Sequence, residues 1–258
     1  MEKILITAGI HGNEIGSVLI AREIRGWVES RDLDNVTVIP EVNLGAVENK
    51  QRENPEDGKD LNRVFPGDEN GTRSDRTAHR IFQVARDHDF LIDLHTYGEK
   101  SRCIPYMLTD LKEDYNRELC KRVGLKNAVQ TGGTEGQLFI ETSKHGIPSM
   151  IIEAGGAERF REELEEVKSK LLDFLLDEKK RSLQVDFYHH YEWIEPEEEG
   201  YFEPKKEPGD RVGKNETIGL IDEKPIKAEF SGLVLGIRKV GAYKSDEGSV
   251  ASIAEIEG

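Results

Sequence analysis

The sequence predicts an α/β fold, a mixed and largely parallel sheet flanked by helices, followed by a small C-terminal all-β domain. Three observations carry this expectation. Short apolar runs alternate with stretches of helical periodicity as far as about Arg181. Helical periodicity then stops. Beyond that point short β-like runs are separated by Gly- and Pro-containing turn signals. The chain of 258 residues is long enough for this arrangement, with an α/β domain over 1–183 and a β domain over 184–258.

In order, residues 3–8 read as a buried strand, and Glu14–Ser30 as a helix with Ile15, Val18, Leu19 and Ile24 at core spacing. Val36–Val42 reads as a second strand. A polar loop rich in Asn, Asp, Gly and Pro runs from about Asn43 to Asp75, and a loop this long in a compact domain points to function. Ser74 is expected to cap a helix over Thr77–Asp87. Phe90–Leu94 is a strand ending at His95. Tyr115–Val123 and Glu135–Lys144 read as helices. Pro148–Ile152 is a strand ending at Glu153, with Gly155-Gly156 as the turn after it. Glu158–Lys180 is a long helix with Phe160, Leu164, Val167, Leu171, Phe174 and Leu175 on one face. The tail offers β-like runs at Tyr188–Ile194, Thr217–Asp222, Ile226–Phe230, Leu233–Lys239 and Val250–Ile256.

Composition excludes several function classes. The formal net charge is −15, from 36 Lys+Arg against 51 Asp+Glu. That disfavours nucleic acid and anionic membrane surfaces, because nothing offsets phosphate repulsion. Cys103 and Cys120 form no CxxC pair, which argues against a thiolate zinc site and for a reducing, cytoplasmic setting. The N-terminus has no basic segment followed by a long apolar core, so no signal peptide is expected, and no run approaches membrane-span length.

The chemistry gathers at strand ends, where open α/β sheets form their sites. Gly9-Ile10-His11-Gly12-Asn13-Glu14 follows the first strand, and its glycines let the backbone bend and approach closely. His11 and Glu14, three apart at a helix start, lie on one side. With His95 they supply the three protein ligands of a catalytic zinc, which leaves one position for water. Singly, each has a plainer reading, as a turn residue or a helix N-terminal acid. Glu153, after an apolar run, is the candidate base. Asp93, two residues before His95, either orients that histidine or hydrogen-bonds in the core. In the long loop, Arg63 with Asn62 can grip a carboxylate and Arg52 can meet an oxyanion. Alternatively those arginines are tied to surface acids such as Asp57 and Asp60, and spacing alone does not decide. His79, His88, His189 and His190 read as surface or packing groups, Trp27 and Trp193 as packing residues, and Glu195–Glu199 as a solvated loop.

Gly-Ile-His-Gly-Asn-Glu, Asp-Leu-Asn-Arg-Val-Phe-Pro-Gly, Asp-Leu-His-Thr and Ile-Ile-Glu-Ala-Gly-Gly, in this order, resemble the succinylglutamate desuccinylase/aspartoacylase family of the zinc carboxypeptidase superfamily. The resemblance covers nearly the whole chain. It implies a zinc-carboxypeptidase-like sheet, one zinc ion per chain, and zinc-dependent hydrolysis of an N-acyl amide, an amidohydrolase reaction on a small-molecule N-acyl substrate. By motif it implies His11, Glu14 and His95 as zinc ligands and Glu153 as the base. Asn62 and Arg63 become the carboxylate clamp, and Arg52 the group that polarises the carbonyl. Arg52 stands at the spacing of the longer-loop deacylase-like members, so aspartoacylase activity itself does not follow. The tail fits a small β domain that covers the site. Its Pro208–Lys214 turn is similar to that of biotinyl/lipoyl-like barrels but has no Met-Lys-Met segment, so no carried biotin is expected. Tyr243 is the tail residue expected to line the pocket. The competing expectations are a metallocarboxypeptidase acting on peptide C-termini and a non-catalytic binding module. The acyl group, the amine and the oligomeric state are left open, a homo-oligomer included.

Overall fold

Strand β1 (Ile4–Ala8), helix α1 (Ile15–Glu29) and strand β2 (Val36–Ile39) open the chain, and α2 (Leu44–Asn49) and a 3-10 turn at Leu61–Arg63 interrupt the loop that follows. Then come α3 (Arg73–Arg86), β3 (Phe90–His95), β4 (Ser101–Thr109), α4 (Asp114–Val123), β5 (Asn127–Gln130), α5 (Leu138–Ser143), β6 (Ser149–Gly156) and α6 (Arg161–Leu176). The tail holds β7 (Asp186–Tyr188), β8 (Tyr191–Ile194), β9 (Gly200–Pro204), β10 (Arg211–Val212), β11 (Thr217–Ile221), β12 (Lys224–Lys227), β13 (Gly232–Arg238), β14 (Gly241–Tyr243) and β15 (Ala251–Glu255). This is a computed structural model, and it describes residues 2–156, 161–177 and 181–256. The expected long helix is seen as α6; Glu158, Phe160 and the stretch 178–180 lie outside the described residues. No helix among the described residues is long and apolar enough to cross a membrane.

The sheet is mixed and largely parallel in its catalytic half, with helices on both faces. Strands β2, β1, β3 and β6 run parallel in that order, and β4 lies antiparallel to β6. Burial of both faces explains why the early strands are continuous apolar runs. Ile4, Ile6, Ala8, Ile92, Leu94, Met150 and Ile152 pack with α1, α4 and α6. Leu5, Leu91 and Ile151 point to the opposite face, against α3 and α5. Each fully buried Leu or Ile of this kind contributes about 1.5–3 kcal/mol. Asp93, His95 and Glu153 share the second face by the same period of two.

β4 is the hub. Its second half pairs in parallel with β5 and its first three residues pair with β13 of the tail. The tail therefore does not stand apart: β13, β15 and β8 extend the same sheet, and β7, read from sequence as the start of the β domain, adds to the edge of β5. Strands β12, β11, β9 and β14 form a separate antiparallel sheet over a third cluster of apolar residues.

Several boundaries differ from expectation for identifiable reasons. β2 stops at Ile39 because Pro40 has no N–H to donate. The capping residue of α3 is Thr72, whose N–H donates to Asp75 Oδ2 at 2.8 Å. Ser74 instead gives its N–H and hydroxyl to Asp57, at 2.7 and 2.8 Å. β6 runs on to Gly156 because β4 continues the ladder beyond Glu153, so Gly155-Gly156 is strand rather than turn.

Candidate metal centre and substrate cavity

The turn after β1 brings His11 close to α2. A Cβ on Gly12 would overlap the backbone of Ala46 and Val47, so only glycine lets the turn pack there. Glu14 is the N-cap residue of α1, and His95 ends β3, which lies between β1 and β6. The three side chains converge. His11 Nδ1 is 2.7 Å from Glu14 Oε1, and His95 Nδ1 is 3.0 Å from Glu14 Oε2. Their candidate ligand atoms all lie within 4.8 Å of one another, and all three residues are buried.

An outer ring of acids holds the imidazoles from behind. His95 Nε2 lies 2.9 Å from Asp93 Oδ2, and Asp93 Oδ1 accepts the Thr7 hydroxyl at 2.7 Å. His11 Nε2 lies 3.1 Å from Asp60 Oδ1, while Asp60 Oδ2 accepts two bonds from Arg52, at 3.1 and 2.9 Å. Carboxylates at both Nε2 atoms favour the tautomer that carries its proton there, which turns both Nδ1 lone pairs toward Glu14. Burial works against charge on His11, but Glu14 and Asp60 raise its pKa. Burial likewise opposes charge on His95, but Asp93 and Glu14 raise its pKa well above the usual value. Glu14 is held below the usual carboxylate range despite burial, by the two imidazoles. Three electron-rich donors in a dry site thus call for positive charge between them. Two imidazole nitrogens and a carboxylate oxygen are the donor set of a catalytic zinc site, so the residues present fit that ion.

Glu153 stands beside His95 in the parallel β3–β6 register. Its Oε2 is buried without a hydrogen-bond partner among the described residues. Burial and the neighbouring charge of Glu14 push its pKa up to about 8, against relief from His95, His11 and Arg52. Arg52 is anchored on Asp60 and presents Nη1 toward the cluster, 3.5 Å from His11 Nδ1 and 4.0 Å from Glu14 Oε1.

Asn62 and Arg63 sit on the 3-10 turn, whose first N–H bond goes to Asp60 Oδ1 at 2.8 Å. Asn62 Oδ1 accepts from Leu138 N–H at 3.1 Å, which leaves Nδ2 as the donating end of the amide. The Arg63 guanidinium is steadied by Nη1 donating to Asn62 O at 2.7 Å. These residues open into a cavity of about 630 Å³ together with His11, Glu14, His95, Glu153 and Arg52.

Tyr243 is not part of it. It is fully buried within the tail, and its hydroxyl donates to Pro196 O or Gly248 O, each at 3.0 Å. The tail reaches the cavity through Tyr191, Trp193 and Ser249 instead. Trp193, read from sequence as a packing residue, is 41% exposed. Asp60, read as a surface acid, belongs to the ring behind His11; its signal in the sequence is only its place two residues before Asn62.

The succinylglutamate desuccinylase/aspartoacylase catalytic-domain model matches residues 1–178. The chain belongs to that family. Among the family's solved structures, this member resembles the succinylglutamate desuccinylase/aspartoacylase from Rhodobacter sphaeroides, with a TM-score of 0.81 at 23% identity over 100% of this chain and 86% of that one. The product-bound ectoine utilization protein EutE from Ruegeria pomeroyi gives 0.80 at 20% identity over 99% and 85%. At these identities the likeness is one of fold. In sequence, this family member is 26% identical over 154 residues to the N-alpha-acetyl-L-2,4-diaminobutyric acid deacetylase of Halomonas elongata. That match takes in 59% of this chain and 44% of the relative, so the chain spans less than half the length of that curated protein.

Proposed function

We propose that this family member is a zinc-dependent deacylase that hydrolyses the amide bond of a small N-acyl amine or N-acyl amino acid. The observation that carries it is the convergence of both imidazole Nδ1 atoms on Glu14 with an unpartnered Glu153 oxygen beside them. His11, Glu14 and His95 would hold the zinc, one per chain. When bound, zinc supplies a Lewis acid that polarises a carbonyl and makes water acidic. Glu153 takes the proton of the attacking water and delivers it to the leaving nitrogen. A pKa raised toward neutrality suits both tasks, since such a group can take a proton and also give it back. Arg52 donates through Nη1 to the oxygen on which negative charge develops, and its anchor on Asp60 removes the cost of orienting it during the reaction. Arg63 and the Asn62 amide fix the carboxylate of the amine half.

The division into a catalytic unit over 1–183 and a β domain over 184–258 belongs to this proposal; the family match ending at residue 178 supports it. The tail residues Tyr191 and Trp193 at the cavity weigh against a peptidase, which needs an open groove for a long chain. The relative named as an acetyl-diaminobutyrate deacetylase supports an acyl amino acid. A cytoplasmic setting fits the two buried free thiols.

The test is a panel of acetyl, succinyl and longer N-acyl amino acids, and blocked dipeptides, offered to the zinc-loaded protein. Release of free amine from acyl amino acids is expected. A zinc-loaded protein that releases amine from none of them rejects the reading, and preference for the peptides favours the carboxypeptidase. Asp60→Asn is expected to weaken zinc about 10–100-fold, because the carboxylate that makes His11 a better ligand is lost. Titration with a competing chelator measures this, and unaltered affinity removes Asp60 from that role.

A further inference from the structure

The cavity has two unlike ends, and the strand register says which is which. Ile151 pairs with Leu108 on the same face as Glu153 but two residues deeper in the sheet. Phe139 joins them, and the adjacent Leu138 is tied to Asn62. The floor therefore holds these apolar side chains and lies on the side of the carboxylate clamp, where Thr131, Thr134 and Gln137 also line the cavity. At the other end, β4 runs past Glu153 to Ser101, where β13 and the tail begin. That mouth is lined by Tyr97, Gly98, Ser101, Tyr191, Trp193 and Ser249, none of which carries a charge.

The mouth is a built wall. Tyr191 and Trp193, two apart on β8, face the same way, with ring centroids 6.2 Å apart. The Tyr97 ring lies 5.6 Å from that of Trp193 at an interplanar angle of 32°. The Tyr97 hydroxyl is fixed from two sides, at 2.8 Å from Ser252 Oγ and 2.9 Å from Tyr106 Oη. Ser252 is the residue directly opposite Trp193 in the β15–β8 pair. Gly236 leaves the space that the Tyr97 ring occupies, since a Cβ there would overlap it. Such support is unneeded for a solvent-facing tryptophan, yet Trp193 keeps 41% of its surface exposed beside the cavity.

We propose that Tyr191 and Trp193, held by Tyr97, form the subsite for the acyl half of the substrate, and that this half is an apolar alkyl or aryl acyl group larger than acetyl. The assignment of ends rests on the deacylase reading: with the amine half's carboxylate on Asn62 and Arg63, the acyl half points to the mouth. The acyl chemistry follows from the wall itself. Aromatic rings set among uncharged residues at the mouth reward apolar contact and offer no cation of their own to a succinyl carboxylate. The cavity, at about 630 Å³, lies within the range of small-molecule sites and leaves room for an acyl group larger than acetyl.

The chain offers its own probe. It has two tryptophans, and Trp27 lies on α1 beneath Arg31, away from the cavity. In a Trp27→Phe protein carrying Glu153→Gln, the emission of Trp193 reports on binding without turnover. N-acetyl-, N-succinyl-, N-hexanoyl- and N-benzoyl-leucine are titrated against the zinc-loaded form. Hexanoyl and benzoyl ligands are expected to shift the emission and to bind at least about tenfold more tightly than acetyl and succinyl. In the parent protein, Trp193→Ala is expected to lower the benzoyl-to-acetyl ratio of kcat/KM about tenfold, with Trp193→Phe restoring most of it. Emission and affinity that ignore acyl length overturn the subsite, as does tighter binding of succinyl. Hydrolysis of acetyl-leucine with no dependence on acyl length sinks the subsite and leaves the deacylase standing. Length-dependent emission without turnover of any ligand by the parent does the reverse.

Discussion

Glu153→Gln is expected to retain one zinc per chain and to lose turnover by about 10²–10⁴-fold, the range for removing a general acid–base group. The substitution keeps the size of the side chain, and Oε2 has no hydrogen-bond partner among the described residues to lose. What it removes is the capacity to hold a proton at that atom. Burial and Glu14 raise the Glu153 pKa to about 8, and positive charge held among His11, Glu14 and His95 draws it back toward neutrality. A group near neutrality both accepts and returns a proton, which is the requirement of amide hydrolysis. Zinc content by elemental analysis and turnover on the best acyl substrate are measured side by side. Full activity in a zinc-replete variant takes Glu153 out of the mechanism.

His95→Ala is expected to leave zinc well below one per chain after dialysis. One of three donors is lost, and Asp93 is left buried behind the gap with Thr7 as its remaining side-chain partner among the described residues. The folded state loses part of its internal hydrogen bonding too, so circular dichroism accompanies the metal analysis to separate unfolding from an empty site. A folded variant that still carries a full complement of zinc rejects the ligand set.

The sequence made much of this visible. β1, β3 and β6 are apolar runs because the sheet is buried on both faces, and the period of two then places Asp93, His95 and Glu153 on one of them. His11, Glu14, His95 and Glu153 stood out as candidates because each stands next to a strand end or a glycine turn, whereas Arg52 and Arg63 lie in the long loop, where spacing alone did not decide. β4 was not readable. Pro105 lies in its middle, and the strand tolerates it by shifting register between Cys103 and Tyr106 against β6. β5 has only four residues, too few to show a pattern. Asp60 looked like a loop acid because the fold alone brings it to His11. Tyr243 was misplaced for the same reason: side-chain direction in the tail depends on a sheet pairing that spacing does not encode. Residues 188–194 also read as one strand, yet the chain breaks at His189-His190, with β7 joining β5 and β8 joining β15.

The junction of β4 with β13 carries a lesson for engineering. Three residues of β4, Ser101 to Cys103, pair with Arg238 to Gly236, and the same strand carries the ladder to Glu153. A tail transplanted from another family member would thus arrive as a strand partner of the catalytic half. A chimera that respects the 101–103 pairing would exchange the tail's side of the mouth while keeping Glu153 in place. One joined out of register by a single residue would turn every side chain of β13 to the wrong face.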